Sequence, residues 1–140
     1  MSVEQNKTAV RHMDKELWNK GGNLSVISEF IAPNFILHGP TEYKGQDGYR
    51  QWIIMHQTAF PDLSDTIEKM VAEGDMVVYT GTLRGTFKGE YMGAQPTGNK
   101  FSLPYAALFR FEKGKAVDLW LYLDTLTYFN QLGIPIPVSQ

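Results

Sequence analysis

The sequence predicts an α+β protein: a curved antiparallel sheet folded against N-terminal helices around an apolar pocket. Three observations carry that expectation. Apolar residues recur at helical spacing up to about residue 59, and β-like runs follow from residue 65 to 123. Turn signals, and no crossover helices, separate those runs, which is the pattern of a sheet made by hairpins. The length of 140 residues suits one domain, taken as residues 1–140.

Val3, Ala9, Val10, Met13, Leu17 and Trp18 form a helical stripe that Gly21-Gly22 stops. A second, short helix is expected over 24–31, with Val26, Ile27, Phe30 and Ile31 on one side, ending before Pro33. Residues 35–38 read as a short β run closed by Gly39-Pro40. A third helix is expected over 47–59, with Asp47 at its N-cap or in its first turn and Tyr49, Trp52, Ile53 and His56 on one face. Strands are expected over 65–72, 76–87, 100–111 and 115–123, and a last helix over 125–132. Strands this long must coil, and a coiled sheet around helices tends to leave a cone-shaped hollow.

Composition narrows the function. Hydrophobic residues make up 43% and aromatics 13%, enough to build a core and to line a cavity. Lys plus Arg number 13 against 15 Asp plus Glu, and no basic stripe appears, so a nucleic-acid footprint is not expected. With no cysteine there is no disulfide, thiolate catalyst or Cys-based zinc site. The opening residues 1–7 lack the apolar run of a signal peptide, and no stretch approaches the roughly 18 apolar residues of a membrane span. A cytoplasmic protein off the membrane is expected. His12, His38 and His56 lie far apart without metal-ligand spacing, and no metal is expected. Gly-rich phosphate loops and Gly-x-Ser-x-Gly elbows are absent too.

Asp124 stands out because it ends the most hydrophobic stretch, residues 117–124, at the parity of Trp120 and Tyr122. Were that face buried, the carboxyl would be poorly solvated, its pKa raised, and it could shuttle a proton near neutrality. Asp124 also precedes a helical run and suits an N-cap. The two roles are not exclusive. His38 reads as a half-buried histidine at a strand end. Arg110 depends on register: a two-residue Lys113-Gly114 turn sets it opposite Val117, whereas a bulge at Gly114 sets it on the parity of Asp118. The bulged turn is preferred. Trp18, Trp52, Phe87 and Tyr105 are candidate pocket walls. The last strand is apolar on both faces, which predicts a homodimer through the outer sheet face.

Several segments together resemble the SnoaL-like polyketide cyclases, or ester cyclases, of the NTF2-like superfamily. They are His38-Gly39-Pro40, Ala59-Phe60-Pro61-Asp62-Leu63, Val71-Ala72-Glu73-Gly74-Asp75, residues 85–93, Pro96-Thr97-Gly98, residues 109–115, Trp120-Leu121-Tyr122-Leu123-Asp124 and Gln131-Leu132-Gly133. The resemblance covers nearly the whole chain. It implies an NTF2-like α+β cone and intramolecular aldol cyclisation of a small apolar or aromatic carbonyl substrate without a cofactor. It places the general acid/base on Asp124, the aspartate of the Trp-x-x-x-Asp stretch. His38, Trp52, Phe87, Tyr105, Arg110, Trp120 and Tyr122 are the expected substrate contacts. The alternatives are a non-catalytic small-molecule binding domain or a dimeric interaction domain of the same fold. Epoxide hydrolysis is a further variant, and only Arg110, Asp118 and Asp124 could supply its two carboxylates and bridging arginine.

Overall fold

The computed structural model describes residues 2–136. Helix α1 (Val3–Leu17) opens on a capping box: the Ser2 hydroxyl accepts from the Gln5 N–H at 3.1 Å, and the Gln5 side chain accepts from the Ser2 N–H at 2.9 Å. Its inward stripe buries Val10, Met13 and Leu17, with Asp14 among them. A 3₁₀ turn (Leu24–Val26) leads into the one-turn helix α2 (Ile27–Phe30), and Ile31 already belongs to strand β1 (Ile31–His38). The helix expected over 24–31 is therefore shorter and broken. Pro33 explains this: it disfavours helix in the residue before it, and the β1 register shifts between Ile31 and Ile36 across it.

After the short strand β2 (Tyr43–Lys44), helix α3 (Gly45–Ala59) starts two residues earlier than expected, with Asp47 in its first turn bonded to Arg50 at 2.6 Å. Four long strands follow: β3 (Ser64–Glu73), β4 (Met76–Thr86), β5 (Lys100–Glu112) and β6 (Lys115–Leu123), and then helix α4 (Thr125–Leu132). They form one six-stranded sheet in the order β2-β1-β6-β5-β4-β3. Every neighbouring pair is antiparallel except β1 with β6, so the sheet is mixed where a purely antiparallel one was expected.

The β5–β6 hairpin turns through Lys113 (φ 51°) and Gly114 (φ 80°), setting Glu112 opposite Lys115. Two positive φ angles make this the tight two-residue turn, and the bulge expected at Gly114 is not there. It lies further on: Phe111 pairs with Ala116 and Arg110 with Asp118, which leaves Val117 as the extra residue. Arg110 thus meets Asp118 by a different route.

Two buried clusters meet across the inner face. One joins α1, α3 and β1 to the sheet through residues such as Phe35, Tyr49, Ile53, Phe109 and Leu119. The other packs α4 over Phe60, Leu63, Phe87, Phe101 and Leu132. Among the described residues no helix is long and apolar enough to cross a membrane. The second cluster depends on a close approach at Gly89, whose N–H donates to Ala59 O at 3.1 Å. A methyl there would lie 2.2 Å from the Thr58 carbonyl oxygen. Gly89→Ala is expected to lower stability by about 1–3 kcal/mol, read as an earlier urea midpoint at unchanged slope.

Candidate functional site

Between the two clusters lies a cavity of about 450 Å³. Helix α3 presents Tyr49, Trp52 and His56 to it from one helical stripe, and α1 adds Trp18. The sheet supplies alternate residues, Tyr79 from β4, Tyr105 and Phe109 from β5, and Leu119 and Leu121 from β6, while α4 supplies Tyr128. Rings and aliphatic chains dominate the wall, so its few polar groups decide its chemistry.

One polar cluster lies behind Tyr105. The Tyr105 hydroxyl donates to Asp65 Oδ2 at 2.5 Å and lies 3.2 Å from the Tyr79 hydroxyl. Beside Asp65 stands Asp14 of α1, and both carboxyls are buried. Burial, then the neighbouring Asp65, pushes the Asp14 carboxyl up to about 9, so it keeps its proton at neutral pH. Burial also raises Asp65, against hydrogen bonds from Asp14 and Tyr105 and the more distant charge of Arg84. Each carboxyl thus resists ionisation, and the pair does not readily carry two negative charges. On the same side Trp18 Nε1 donates to the Tyr49 hydroxyl at 3.1 Å.

The other cluster centres on His56. Its Nδ1–H donates to the Trp52 carbonyl at 2.8 Å, which leaves Nε2 to accept from the Tyr91 hydroxyl at 3.2 Å. The imidazole packs between rings, 4.4 Å from Trp52 and 5.5 Å from Trp18 by centroids. Burial holds it down at about 4, and it is neutral. Burial pushes the Tyr91 phenol up to about 12. Tyr128 lies against Tyr91, with ring centroids 6.0 Å apart.

The residues singled out from sequence divide. Trp52 and Tyr105 are among the residues around the cavity, and His38 borders its rim at the end of β1 while its ring lies on the outer face. Phe87 is not: it is fully buried in the cluster beneath α4 against Phe60. Trp120, Tyr122 and Arg110 are not either, because the inner parity of β6 is that of Leu119, Leu121 and Leu123, and the even residues face outward. On that outer face Trp120 stacks on His38 at 4.6 Å, and Asp118 is held by His38 Nε2 and Arg110 Nε, each at 2.7 Å. Burial works to raise the Asp118 carboxyl, but the His38 and Arg110 hydrogen bonds outweigh it and hold it low. Tyr122 is 59% exposed.

Asp124 is corrected in its surroundings. It is exposed and caps α4: Oδ1 accepts from the Thr127 N–H at 3.1 Å and Oδ2 from the Thr127 hydroxyl at 2.6 Å. Those bonds hold its carboxyl below the usual range, where a raised value was expected. With Asp118 tied to Arg110 outside and Asp124 tied to Thr127, the two-carboxylate arrangement of an epoxide hydrolase is not assembled in the cavity. Among the described residues no group of three His, Asp or Glu side chains is placed to hold a metal.

Sequence reasoning missed Asp14, Asp65, Tyr79, Tyr91 and Tyr128. A signal existed for Asp14, a charge at the i+4 position from Val10 on the apolar stripe, and for Tyr79, which alternates with buried Val77. Tyr91 lies in a turn-rich loop that carries no periodicity.

A coiled α+β sheet enclosing an aromatic hollow, with ionisable groups buried beside it, defines a small-molecule site. Residues 8–132 match the SnoaL-like polyketide cyclases, and the chain belongs to that family. It is 28% identical over 116 residues to aklanonic acid methyl ester cyclase DauD of Streptomyces sp. (strain C5), covering 82% of this chain and 71% of that one. The fold is similar to that of a Jannaschia sp. CCS1 protein assigned to the SnoaL-like polyketide cyclases, with TM-score 0.87 and 25% identity over 95% and 94% of the two chains. It is also similar to IdmH of Streptomyces antibioticus, assigned as a polyketide cyclase, with TM-score 0.78 and 28% identity over 93% and 99%.

The carboxyl pair has a signature in stability. Asp14, raised from 3.8 to about 9, contributes stability that is complete below about pH 4 and lost as pH rises toward 9. His56, lowered from 6.5 to about 4, works oppositely, its contribution complete above 6.5 and lost as pH falls through 4. Above pH 6.5 His56 adds no slope. Thermal melts from pH 7 to 9 should therefore show wild-type Tm falling, and Asp14→Asn should flatten that fall and melt higher at the alkaline end, by about 2–4 °C per kcal/mol.

Proposed function

We propose that this chain closes a ring in an apolar, enolisable carbonyl substrate by intramolecular aldol addition inside the cavity. The observation that carries the reading is the cavity itself: about 450 Å³, walled by rings and aliphatic chains, with most of its ionisable groups gathered in two clusters. The cyclase name of the curated relative supports the same reaction class. A C–H between carbonyls gives its proton to a carboxylate, the enolate carbon attacks a second carbonyl, and the resulting alkoxide takes the proton back. One C–C bond forms and no electrons are exchanged with a second reagent. A placed acid/base contributes about 10²–10⁴-fold, and folding the substrate into a near-attack shape contributes the rest.

Asp124 is the acid/base in this proposal, on the strength of the family likeness. Its neighbours Leu123 and Thr125 both line the cavity, and its carboxyl is ionised, as a base must be. It must exchange the Thr127 hydroxyl for substrate to act. The buried carboxyl pair favours a second reading. There Asp65 receives the proton through Tyr105, and its raised pKa makes it the stronger base.

Aklanonic acid methyl ester is a suitable trial substrate. Asparagine caps as well as aspartate, so Asp124→Asn should keep the wild-type Tm while ring closure falls about 100-fold or more. Full turnover by Asp124→Asn together with its loss in Asp65→Asn would move the role to Asp65. Binding of the trial substrate without conversion by wild type would mark a binding protein.

We also propose that a second copy covers the outer sheet face. Val71, Val78, Leu108 and Trp120 pair in one row across β3 to β6, and Val71 is 67% exposed. Tyr122 stands one row along, opposite Ala106. An apolar row of this kind on an open sheet face can be self-complementary about a two-fold axis. Light scattering is expected to give a dimer mass, and Val78→Glu a monomer with unchanged far-UV circular dichroism. A monomeric wild type would end this reading.

A further inference from the structure

We propose that the Tyr128 and Tyr91 hydroxyls, backed by His56, form a subsite that takes the enol or phenol oxygen of the cavity's ligand. Its role in turnover rests on the cyclase reading; its existence rests on geometry alone. Tyr128 reaches the cavity from α4 and is only 4% exposed, yet its hydroxyl makes no well-formed hydrogen bond among the described residues, with only the Tyr91 hydroxyl as a polar neighbour. Buried hydroxyls are ordinarily paired, so this one is open to an acceptor that the chain does not supply.

Tyr91 complements it. The Trp52 carbonyl fixes the His56 tautomer, and His56 Nε2 in turn fixes the direction of the Tyr91 proton. The Tyr91 oxygen is left with lone pairs and no proton to give. The two phenol rings stand 6.0 Å apart, edge to face, both line the cavity, and each hydroxyl lies close enough to act on the other, so they address the same corner. That corner offers one donor, Tyr128 O–H, and one acceptor, the Tyr91 oxygen.

An enol or phenol O–H matches both, accepting and donating through a single oxygen. A ketone or ether oxygen satisfies only Tyr128. A carboxylate is disfavoured, because among the described residues no lysine or arginine lines the cavity and a buried anion would lack a countercharge. The subsite therefore favours the enol tautomer of a carbonyl substrate over the keto form. For a ring closure that passes through the enol, these contacts stabilise the form left once the C–H proton has moved to the base. Both phenols hold their protons at neutral pH and remain hydrogen-bonding groups throughout.

Equilibrium dialysis at neutral pH with 2-naphthol and 2-methoxynaphthalene tests this, since the two share a ring system and differ in the hydroxyl proton. Wild type is expected to bind 2-naphthol about three- to ten-fold more tightly. Tyr91→Phe should bring the two affinities within about twofold of one another, whereas Tyr128→Phe should weaken both compounds about three- to ten-fold and keep the preference. Tyr128→Phe should also melt no lower than wild type, because the lost hydroxyl made no well-formed hydrogen bond. Equal affinities in wild type, no binding of either compound, a preference that survives Tyr91→Phe, or affinities that Tyr128→Phe leaves unchanged would overturn the subsite. The cyclase reading is judged separately: a protein that prefers 2-naphthol but closes no ring keeps the subsite and loses the cyclase.

Discussion

The extra residue at Val117 decides which side of β6 looks into the hollow. With a two-residue turn and no bulge, Arg110 would oppose Val117, and Asp118 would fall opposite Phe109 on the inner face. The bulge delays the register by one, so Asp118 meets Arg110 outside and Leu119 meets Phe109 inside. An unbulged strand would bring a carboxylate into an apolar wall and turn Leu119, Leu121 and Leu123 out toward water, both unfavourable. Because β6 pairs with β1 as well as β5, the choice spreads: Leu37 aligns with Leu119 inside and His38 with Trp120 outside. The apolar character of the cavity and the charged His38–Asp118–Arg110 cluster on the other face are two results of one backbone irregularity.

This is also where legibility ended. Strand limits in the second half were readable to within a residue or two, since Gly74, Lys113-Gly114 and the glycines after β4 punctuate alternating runs with strong β formers. The helical stripe of α3 was readable too, and it places Trp52 at the cavity. Which face of β6 is inner was not readable, because both parities are apolar and the larger rings stand on the outer one. Side-chain size suggested the wrong face, and Trp120, Tyr122 and Asp124 were assigned to the hollow together. Non-local pairing was equally hidden: nothing local in residues 31–38 says that their partner is β6, in parallel. The Asp14–Asp65 pair is another case, two residues on different elements with no shared motif.

The buried polar groups show how a small cavity stays ordered. Each of Trp18, Tyr49, Tyr79, Tyr105, His56 and Tyr91 bonds to another group in the wall. These bonds fix ring orientations that packing alone would leave free, and a buried network of this kind is strong only when its members are satisfied. Aromatic neighbours add edge-to-face contacts, as between Tyr79 and Tyr105 or Phe35 and Tyr49. The hollow is thus held open by mutually braced rings.

The two sets of acids beside this hollow are tuned in opposite directions by solvent. Asp124 sits in water with a helix N-terminus and the Thr127 hydroxyl to stabilise its charge, so it is a weak base that is always ready. Asp14 and Asp65 sit where a second charge would be poorly solvated, so one proton stays with the pair and its loss is resisted. A base of the first kind needs an acidic substrate C–H, whereas the second kind can work on a weaker acid but must be reached through Tyr105. An enol-selecting corner at Tyr128 and Tyr91 shifts this balance, since stabilising the enol lowers the cost of removing the proton. In the proposed reaction the weaker base then suffices, so an exposed, ionised Asp124 would be compatible with aldol chemistry in a dry cavity.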